Sequence, residues 1–293
     1  MNNQTETLSK IEKQKVPSYS LFLLVPVLPT IIGVGTMIHY NIPTKIWLLN
    51  LSIVCIGSLI TPYISKKSNF LKNRHPLLIL VITIICLLST FYNEGIMDVH
   101  RWINLKSFQI NIGLILSPII LIQISRIQNL LYYITFGILT TIIFLLQPDA
   151  SLVTAFSIST LVLLFSKTKS KIIIISYLLF SIFSVVFTWN NLDNLQPVSY
   201  VESIIYLTRD ISSILFVVSI VTLVFLILPF IKNFAEKDKL SLSLGIYFII
   251  LIGSTFFGNF PVMFMGYGIS PIIGYYSALI WKISTANKYQ ILE

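Results

Sequence analysis

Long runs of apolar residues, separated by short polar connections, extend along almost the whole chain. Each run is roughly 17 to 22 residues long, the length of a helix that crosses about 30 Å of hydrocarbon at about 1.5 Å per residue. The pattern predicts an all-α, polytopic integral membrane protein with about ten transmembrane helices. The predicted segments are 18–39, 45–65, 76–92, 108–125, 128–147, 150–166, 171–188, 211–231, 240–258 and 262–282.

The composition agrees with this pattern. Of the 293 residues, 55% are hydrophobic and only 11% are charged, which leaves too little polar surface for a soluble protein of this length. We expect a single transmembrane domain at 17–285, with polar tails at 1–16 and 286–293. Its main outer loop is expected at 188–210.

Positive charge lies mainly on alternate connections between the predicted helices. One set of connections carries only Lys45, Arg101, Lys106 and Arg209, so 16 of the 20 lysines and arginines lie on the other side. This bias predicts that both termini are cytoplasmic. Attraction to anionic headgroups accounts for the net charge of +9, so we expect no nucleic-acid partner.

The acidic residues show the opposite bias. Six of the eleven lie on the predicted outer side: Glu94, Asp98, Asp149, Asp193, Glu202 and Asp210. Ionisable groups close to a membrane are costly and are often functional. We therefore expect the functional site on the outer face.

The stretch "DVHRWINL" places three chemically distinct side chains in a row on that face. Arg101 could bind a carboxylate or phosphate through two parallel hydrogen bonds, or could form a structural salt bridge with Asp98 or Asp149. Trp102 is typical of an interfacial anchor, and His100 of a polar loop residue with a catalytic role as the alternative. We expect His100, Arg101 and Trp102, with Asp149, to bind substrate at the mouth of a site for an anionic lipid headgroup, whose depth Trp102 sets.

Two further stretches carry the outer acids. In "LLQPDAS", Asp149 could cap the following helix, face Arg101, or do both. In the outer loop, "YVESIIYL" is compatible with a short interfacial helix that has Glu202 on its wetter side. Glu202 and Asp210 are candidate general bases, and the alternatives are a solvated loop acid and a helix cap.

The stretch "GNFPVMFMGYGIS" breaks an otherwise apolar segment. Gly266, Gly268 and Pro271 interrupt the helical pattern, as happens where a membrane chain lines a cavity or packs closely on a neighbour. Tyr267, between the two glycines, is a candidate substrate-binding residue.

In this order, "RWINL", "LLQPDAS", the acidic outer loop and "PVMFMGYGIS" resemble the SEDS family of bacterial shape, elongation, division and sporulation proteins, the FtsW and RodA relatives. In that family R-W-I follows the third span and Q-P-D opens the sixth. A P-F-x-S-Y-G-G-S stretch introduces the tenth. The outer loop is shorter here, "QINI" replaces a glutamate-containing stretch, and "TRDI" matches the family's T-D-F motif loosely.

The resemblance implies glycosyl transfer in peptidoglycan synthesis in the bacterial plasma (inner) membrane. Family members polymerise a polyprenyl-linked sugar lipid at the outer leaflet, usually beside a single-span transpeptidase. By position the catalytic acid carries over to Asp210, while Arg101 and Asp149 carry over from R-W-I and Q-P-D. No cofactor is indicated, although a divalent cation at the diphosphate stays an open alternative, and no metal-ligand spacing is present.

Three functions remain from the sequence. The first is a glycosyltransferase in which Arg101 holds the diphosphate and Asp210 or Glu202 is the base. The second is a non-catalytic binder of the lipid-linked sugar, or a scaffold for a cell-wall synthesis or division complex. The third, a flippase or transporter, has the least support because only one broken helix is evident.

Overall fold

The computed structural model describes residues 19–67, 75–92, 94–105, 108–231 and 238–291. The predicted tail at 1–16 lies outside these residues, as do the last two of the tail at 286–293. The helices are α1 (Tyr19–Leu24), α2 (Val27–His39), α3 (Thr44–Lys67), α4 (Pro76–Leu88), α5 (Ile112–Arg126), α6 (Leu130–Leu146), α7 (Ala150–Lys167), α8 (Lys171–Asn190), α9 (Ile204–Ile211), α10 (Ser213–Phe225), α11 (Leu228–Ile231), α12 (Lys239–Ser254) and α13 (Ile269–Ile291). A 3₁₀ turn, Ser89–Tyr92, follows α4, and the strands β1 (Trp102–Leu105) and β2 (Phe108–Asn111) form an antiparallel hairpin.

The described residues contain five helical segments that are long and apolar enough to cross a membrane. They are Phe22–His39, Thr44–Lys66, Ala150–Lys167, Lys171–Asn190 and Ser213–Ile231, and four shorter apolar helices accompany them. The mainly helical membrane fold is thus confirmed. The number of ten crossings and the side of each terminus stay predictions.

Burial separates a central helix from a peripheral one. In α7, 67% of the apolar window lies inside the protein, whereas in α8 the share is 22%. The outer surface of α8 exposes Ile172, Leu179 and Phe183. Exposed apolar side chains of this kind are typical of a helix surface that faces lipid.

The interior is closely packed where small residues let helices approach. A Cβ atom on Gly274 of α13 would clash with the carbonyl oxygen of Leu114 in α5. A Cβ on Gly57 of α3 would likewise overlap the ring of Tyr276 in α13. These contacts place α13 between α3 and α5, as small-residue packing allows in membranes.

Two predicted helix starts were wrong. The segment predicted from residue 108 begins as strand β2, because Asn111 caps α5 by accepting a hydrogen bond from the amide of Leu114 at 3.1 Å. The segment predicted from residue 262 becomes helical only at Ile269. Before it, Phe264 has a φ of 65°, outside the helical region.

The segment predicted at 211–231 corresponds to the apolar span Ser213–Ile231, which α10 and α11 make up together. Ile204–Ile211 forms the separate helix α9 before it. The short helix expected within "YVESIIYL" exists, but it starts at Ile204, so Glu202 lies in the turn before it rather than on the helix.

Candidate functional site

Arg101 occupies the centre of a buried polar cluster at the end of the bundle that carries the hairpin. Its side chain is 6% exposed. The guanidinium donates from Nε to the carbonyl oxygen of Gln147 at 3.0 Å, and from Nη2 to the carbonyl of Pro148 and the carboxylate of Asp193. Charge-assisted bonds of this kind are the stronger class of hydrogen bond. Arg101 therefore joins the hairpin to two other connections at this end of the bundle.

Asp149 has both of the roles that the sequence left open. Its Oδ1 caps α7 by accepting from the amide of Leu152 at 3.1 Å, and it also accepts from the Ser151 hydroxyl at 2.7 Å. Its Oδ2 lies 3.7 Å from Nε of Arg101. The predicted cap is confirmed, and the same carboxylate balances the arginine charge.

The neighbours of Arg101 in sequence pack around it. The guanidinium carbon lies 5.7 Å from the ring centroid of Trp102, within the range of a cation–π interaction. The ring of His100 lies 5.6 Å from that of Phe91. Trp102 and His100 are thus held beside the cluster, both half-buried.

The loop between α8 and α9 brings two further carboxylates to this end. Oδ1 of Asp193 accepts from the amide of Leu195 at 3.0 Å while its other oxygen binds Arg101. Oε2 of Glu202 accepts from the amide of Val198 at 2.8 Å. Each carboxylate therefore stabilises a turn within the loop, and it also adds negative charge to the cluster.

Burial raises the pKa of the Glu202 carboxyl above its ordinary value of 4.5. The nearby charge of Asp193 acts in the same direction, while the amide hydrogen bond and the charge of Arg101 oppose the shift. Glu202 is therefore a stronger base than an ordinary loop carboxylate, which suits a proton acceptor.

The non-helical segment before α13, which includes Val262 and Tyr267, lies directly against this loop. The amide of Val262 donates to the carbonyl of Val201 at 3.1 Å, and that of Tyr267 to the carbonyl of Tyr200 at 3.0 Å. A Cβ on Gly266 would clash with the Val201 carbonyl oxygen. Tyr267, itself half-buried, therefore reaches the loop that carries Glu202.

Asn50 of α3 holds the same broken segment from the other side. Its Nδ2 donates to the carbonyl of Gly266 at 2.7 Å, and its Oδ1 accepts from the amide of Gly268 at 3.1 Å. The side chain replaces the helical bonds that these backbone groups lack, as buried polar groups require. Sequence reasoning missed both Asn50 and the Arg101–Asp193 pair, since no local pattern marks either.

Asp210 lies apart from these contacts. It occupies the exposed side of α9, whose buried side consists of Ile204, Ile205 and Thr208. Its carboxylate makes no hydrogen bond or ion pair with the rest of the described chain. The cap of α10 is Ser212, which accepts from the amide of Ile214 at 3.2 Å, so the alternative of Asp210 as a cap was wrong.

Within the described ranges, no group of three or more histidine, cysteine, aspartate or glutamate side chains is arranged to hold a metal ion. The cluster offers one arginine whose Nη1 makes no hydrogen bond within the described residues, three carboxylates and an indole. The Nη1 edge can hydrogen-bond an anionic group, and a carboxylate can accept a proton from a hydroxyl.

Comparison with solved structures defines the class of fold. Two crystal structures of the rod shape-determining protein RodA from Thermus thermophilus match, each with a TM-score of 0.66 and 11% sequence identity. One is the unsubstituted protein and the other an aspartate-to-alanine variant. The matches cover 89% of this chain and 95% or 96% of RodA. No family model and no curated protein matches the sequence.

The fold of the chain is therefore that of RodA, a SEDS protein. The resemblance inferred from the short motifs is confirmed at the level of the fold.

Proposed function

We propose that the protein is a multi-pass component of the bacterial plasma membrane that acts in cell-wall synthesis on a polyprenyl-diphosphate-linked sugar. The observation that carries this proposal is the RodA fold, which extends over nearly the full length of both chains. The distribution of lysine and arginine orients it with both termini in the cytoplasm, so that Arg101, Asp149, Asp193 and Glu202 face the outer leaflet.

The proposed reaction is glycosyl transfer between two such lipids. A carboxylate accepts the proton of the acceptor hydroxyl as its oxygen bonds to the anomeric carbon of the donor sugar. The bond from that carbon to the diphosphate breaks, and the polyprenyl diphosphate leaves with the electron pair. Glu202 has the raised pKa that favours the base role, whereas Asp210 has the exposed position and the family's motif.

Arg101 serves this chemistry mainly through the structure that it holds. Its Nε and Nη2 are engaged by the chain itself, while its Nη1 makes no hydrogen bond within the described residues. That edge is the part of the guanidinium that would contact a diphosphate. Asp149 orients the arginine, and Trp102 sets how deeply the lipid headgroup lies in the membrane interface. The backbone of Tyr267 holds the loop between α8 and α9 against the segment before α13.

Polymerisation of a lipid-linked disaccharide by the purified protein tests the enzymatic proposal. Replacing the true base by its amide, Glu202→Gln or Asp210→Asn, should lower the rate about 100-fold or more. Glu94→Gln and Asp98→Asn are matched controls, because they make the same changes at exposed outer acids outside the cluster. Unchanged rates in both base variants would exclude these two carboxylates.

The alternative is a non-catalytic protein of the same fold that binds the lipid-linked sugar, or serves as a scaffold beside a single-span transpeptidase. Its support is that the outer loop is short and tied down by Arg101, Val262 and Tyr267. A loop held in this way has less freedom to position an acceptor. This alternative predicts that the wild-type protein binds the lipid without forming polymer.

A further inference from the structure

A cavity lies at the opposite end of the bundle from Arg101. Helix α5 runs from the cap Asn111, beside the hairpin, to Arg126, and α6 returns from Leu130 to the turn that binds Arg101. The cavity has a volume of about 560 Å³ and opens to the surface. It is lined by His75, Pro76, Leu77, Leu78, Arg126, Ile127, Gln128, Asn129 and Tyr132.

Arg126 is available to a ligand because another side chain satisfies the end of its helix. The ammonium of Lys167, from the end of α7, donates to the carbonyls of Ser125 and Ile127 at 2.6 and 2.8 Å. The last carbonyls of a helix otherwise lack hydrogen-bond donors within the helix, and a cation there is favourable. Lys167 thereby fixes the wall of the cavity.

No carboxylate among the described residues pairs with the charge of Arg126. Within them its guanidinium hydrogen-bonds only to Gln123, a neutral residue one turn earlier, at 3.4 Å. None of the ion pairs within the described residues includes it; those pairs involve Arg101 and Lys282. A half-buried arginine in a cavity without a carboxylate partner is suited to an anion.

The rest of the lining, at the start of α4, supplies further hydrogen-bond donors. His75 precedes α4 and makes no capping hydrogen bond with its side chain. The amides of Leu77 and Leu78, in the first turn of that helix, have no acceptor within it. Nothing in the lining is acidic, and the backbone donors, the imidazole and Arg126 all favour negative charge.

The rim of the cavity is apolar. Leu77, Leu78 and Tyr132 are 39%, 59% and 47% exposed, so the surface beside the anion-binding groups has the character of a lipid-facing surface. A ligand that fits both parts carries a phosphate next to hydrocarbon. We propose that this cavity binds the phosphate of an anionic phospholipid headgroup, in the leaflet opposite the Arg101 cluster.

Lipid retention in nanodiscs tests the site. The whole protein is placed in discs of equal parts phosphatidylcholine and phosphatidylglycerol, and the lipid that remains bound is measured by native mass spectrometry. Arg126→Gln should lower retained phosphatidylglycerol several-fold, and His75→Gln should lower it as well. Lys169→Gln, which removes one exposed positive charge from the same end outside the cavity, should leave it unchanged.

Two versions of the experiment distinguish the phosphate of a phospholipid from free inorganic phosphate. Retained phosphatidylglycerol that excess inorganic phosphate does not displace supports the lipid. Binding of inorganic phosphate alone, lost in Arg126→Gln, would show the same anion site with a soluble ligand and would overturn the lipid assignment. Equal retention in wild type and both cavity variants, or an equal loss in Lys169→Gln, would overturn the site. His75 is exposed and precedes its helix, so this variant keeps the test valid if Arg126→Gln fails to fold.

Discussion

Arg101 binds the carboxylate of Asp193 across 92 positions of sequence. The pair joins the hairpin that follows α4 to the loop that follows α8, and both side chains are largely buried. With Asp149 on the other side, the arginine charge is balanced by two carboxylates. The ion pair therefore determines where the loop between α8 and α9, and with it Glu202, lies on the bundle.

Removing the arginine charge should destabilise this end of the protein strongly. In Arg101→Gln two buried carboxylates lose their partner, which typically costs roughly 3–5 kcal/mol. Thermal unfolding in detergent should show a lower midpoint, and limited proteolysis should cleave the loop at 191–203 sooner. Arg209→Gln is the matched control, because Arg209 is exposed on α9. Equal midpoints in the two variants would contradict the structural role of Arg101.

Asp149 allows its two roles to be separated. Asp149→Asn keeps a side-chain oxygen for the amide of Leu152 but loses the charge beside Arg101. Asp149→Ala loses both, and the missing cap should cost about 1 kcal/mol more. Chemical unfolding of the two variants measures the difference. If alanine were no worse than asparagine, the cap would not contribute to stability.

The close approach of Gly266 to the loop provides a paired test within three residues of sequence. Gly266→Ala places a methyl group against the Val201 carbonyl oxygen, so the loop must move away from the segment before α13. In Gly268→Ala the new atom meets only the ring of Pro271, at 3.7 Å. We expect the first variant to lose about 1–3 kcal/mol of stability and most lipid-dependent function. The second should resemble the wild type, and the opposite order would contradict the packing described.

The raised pKa of Glu202 predicts how the stability of the folded protein changes with pH. Because burial raises its pKa in the folded protein, the folded state favours the protonated carboxyl. This contribution to stability is complete below the unfolded value near 4.5 and is lost as pH rises through the shifted pKa. Relative to Glu202→Gln, the wild type should therefore lose stability with rising pH over that window. Parallel stability curves for the two proteins, or a gain for the wild type, would show that the shift is absent.

The sequence was sufficient for features that depend on local pattern. Runs of apolar residues located the helices to within a few residues in most cases, Asp149 marked the cap before α7, and the glycines near 266 marked the break before α13. The hairpin was missed because the apolar positions of β2, Phe108 and Ile110, lead into the apolar run of α5 with only Gln109 and Asn111 between them. The cap at Asn111 marks where the strand ends and the helix begins.

Features that depend on distant residues could not be read from the sequence. Asp193 was one of six acids predicted on the outer side, and its pairing with Arg101 depends on how α8 and the hairpin pack. Asn50 lies in an apolar helix 216 positions from the glycine whose carbonyl it binds. The cavity beside Arg126 is lined by two chain segments, 75–78 and 126–132, and Lys167 fixes the wall that carries Arg126.

The most direct test of the proposed function is binding of the lipid-linked sugar itself. The purified wild-type protein is incubated with a polyprenyl-diphosphate-linked disaccharide, or with a polyprenyl monophosphate of the same chain length, and examined by native mass spectrometry. The proposal predicts that the disaccharide lipid is retained or consumed in clear preference to the monophosphate. Retention of neither lipid, or equal retention of both, would contradict the catalytic proposal and the lipid-binding form of the non-catalytic alternative, and would leave only the scaffold.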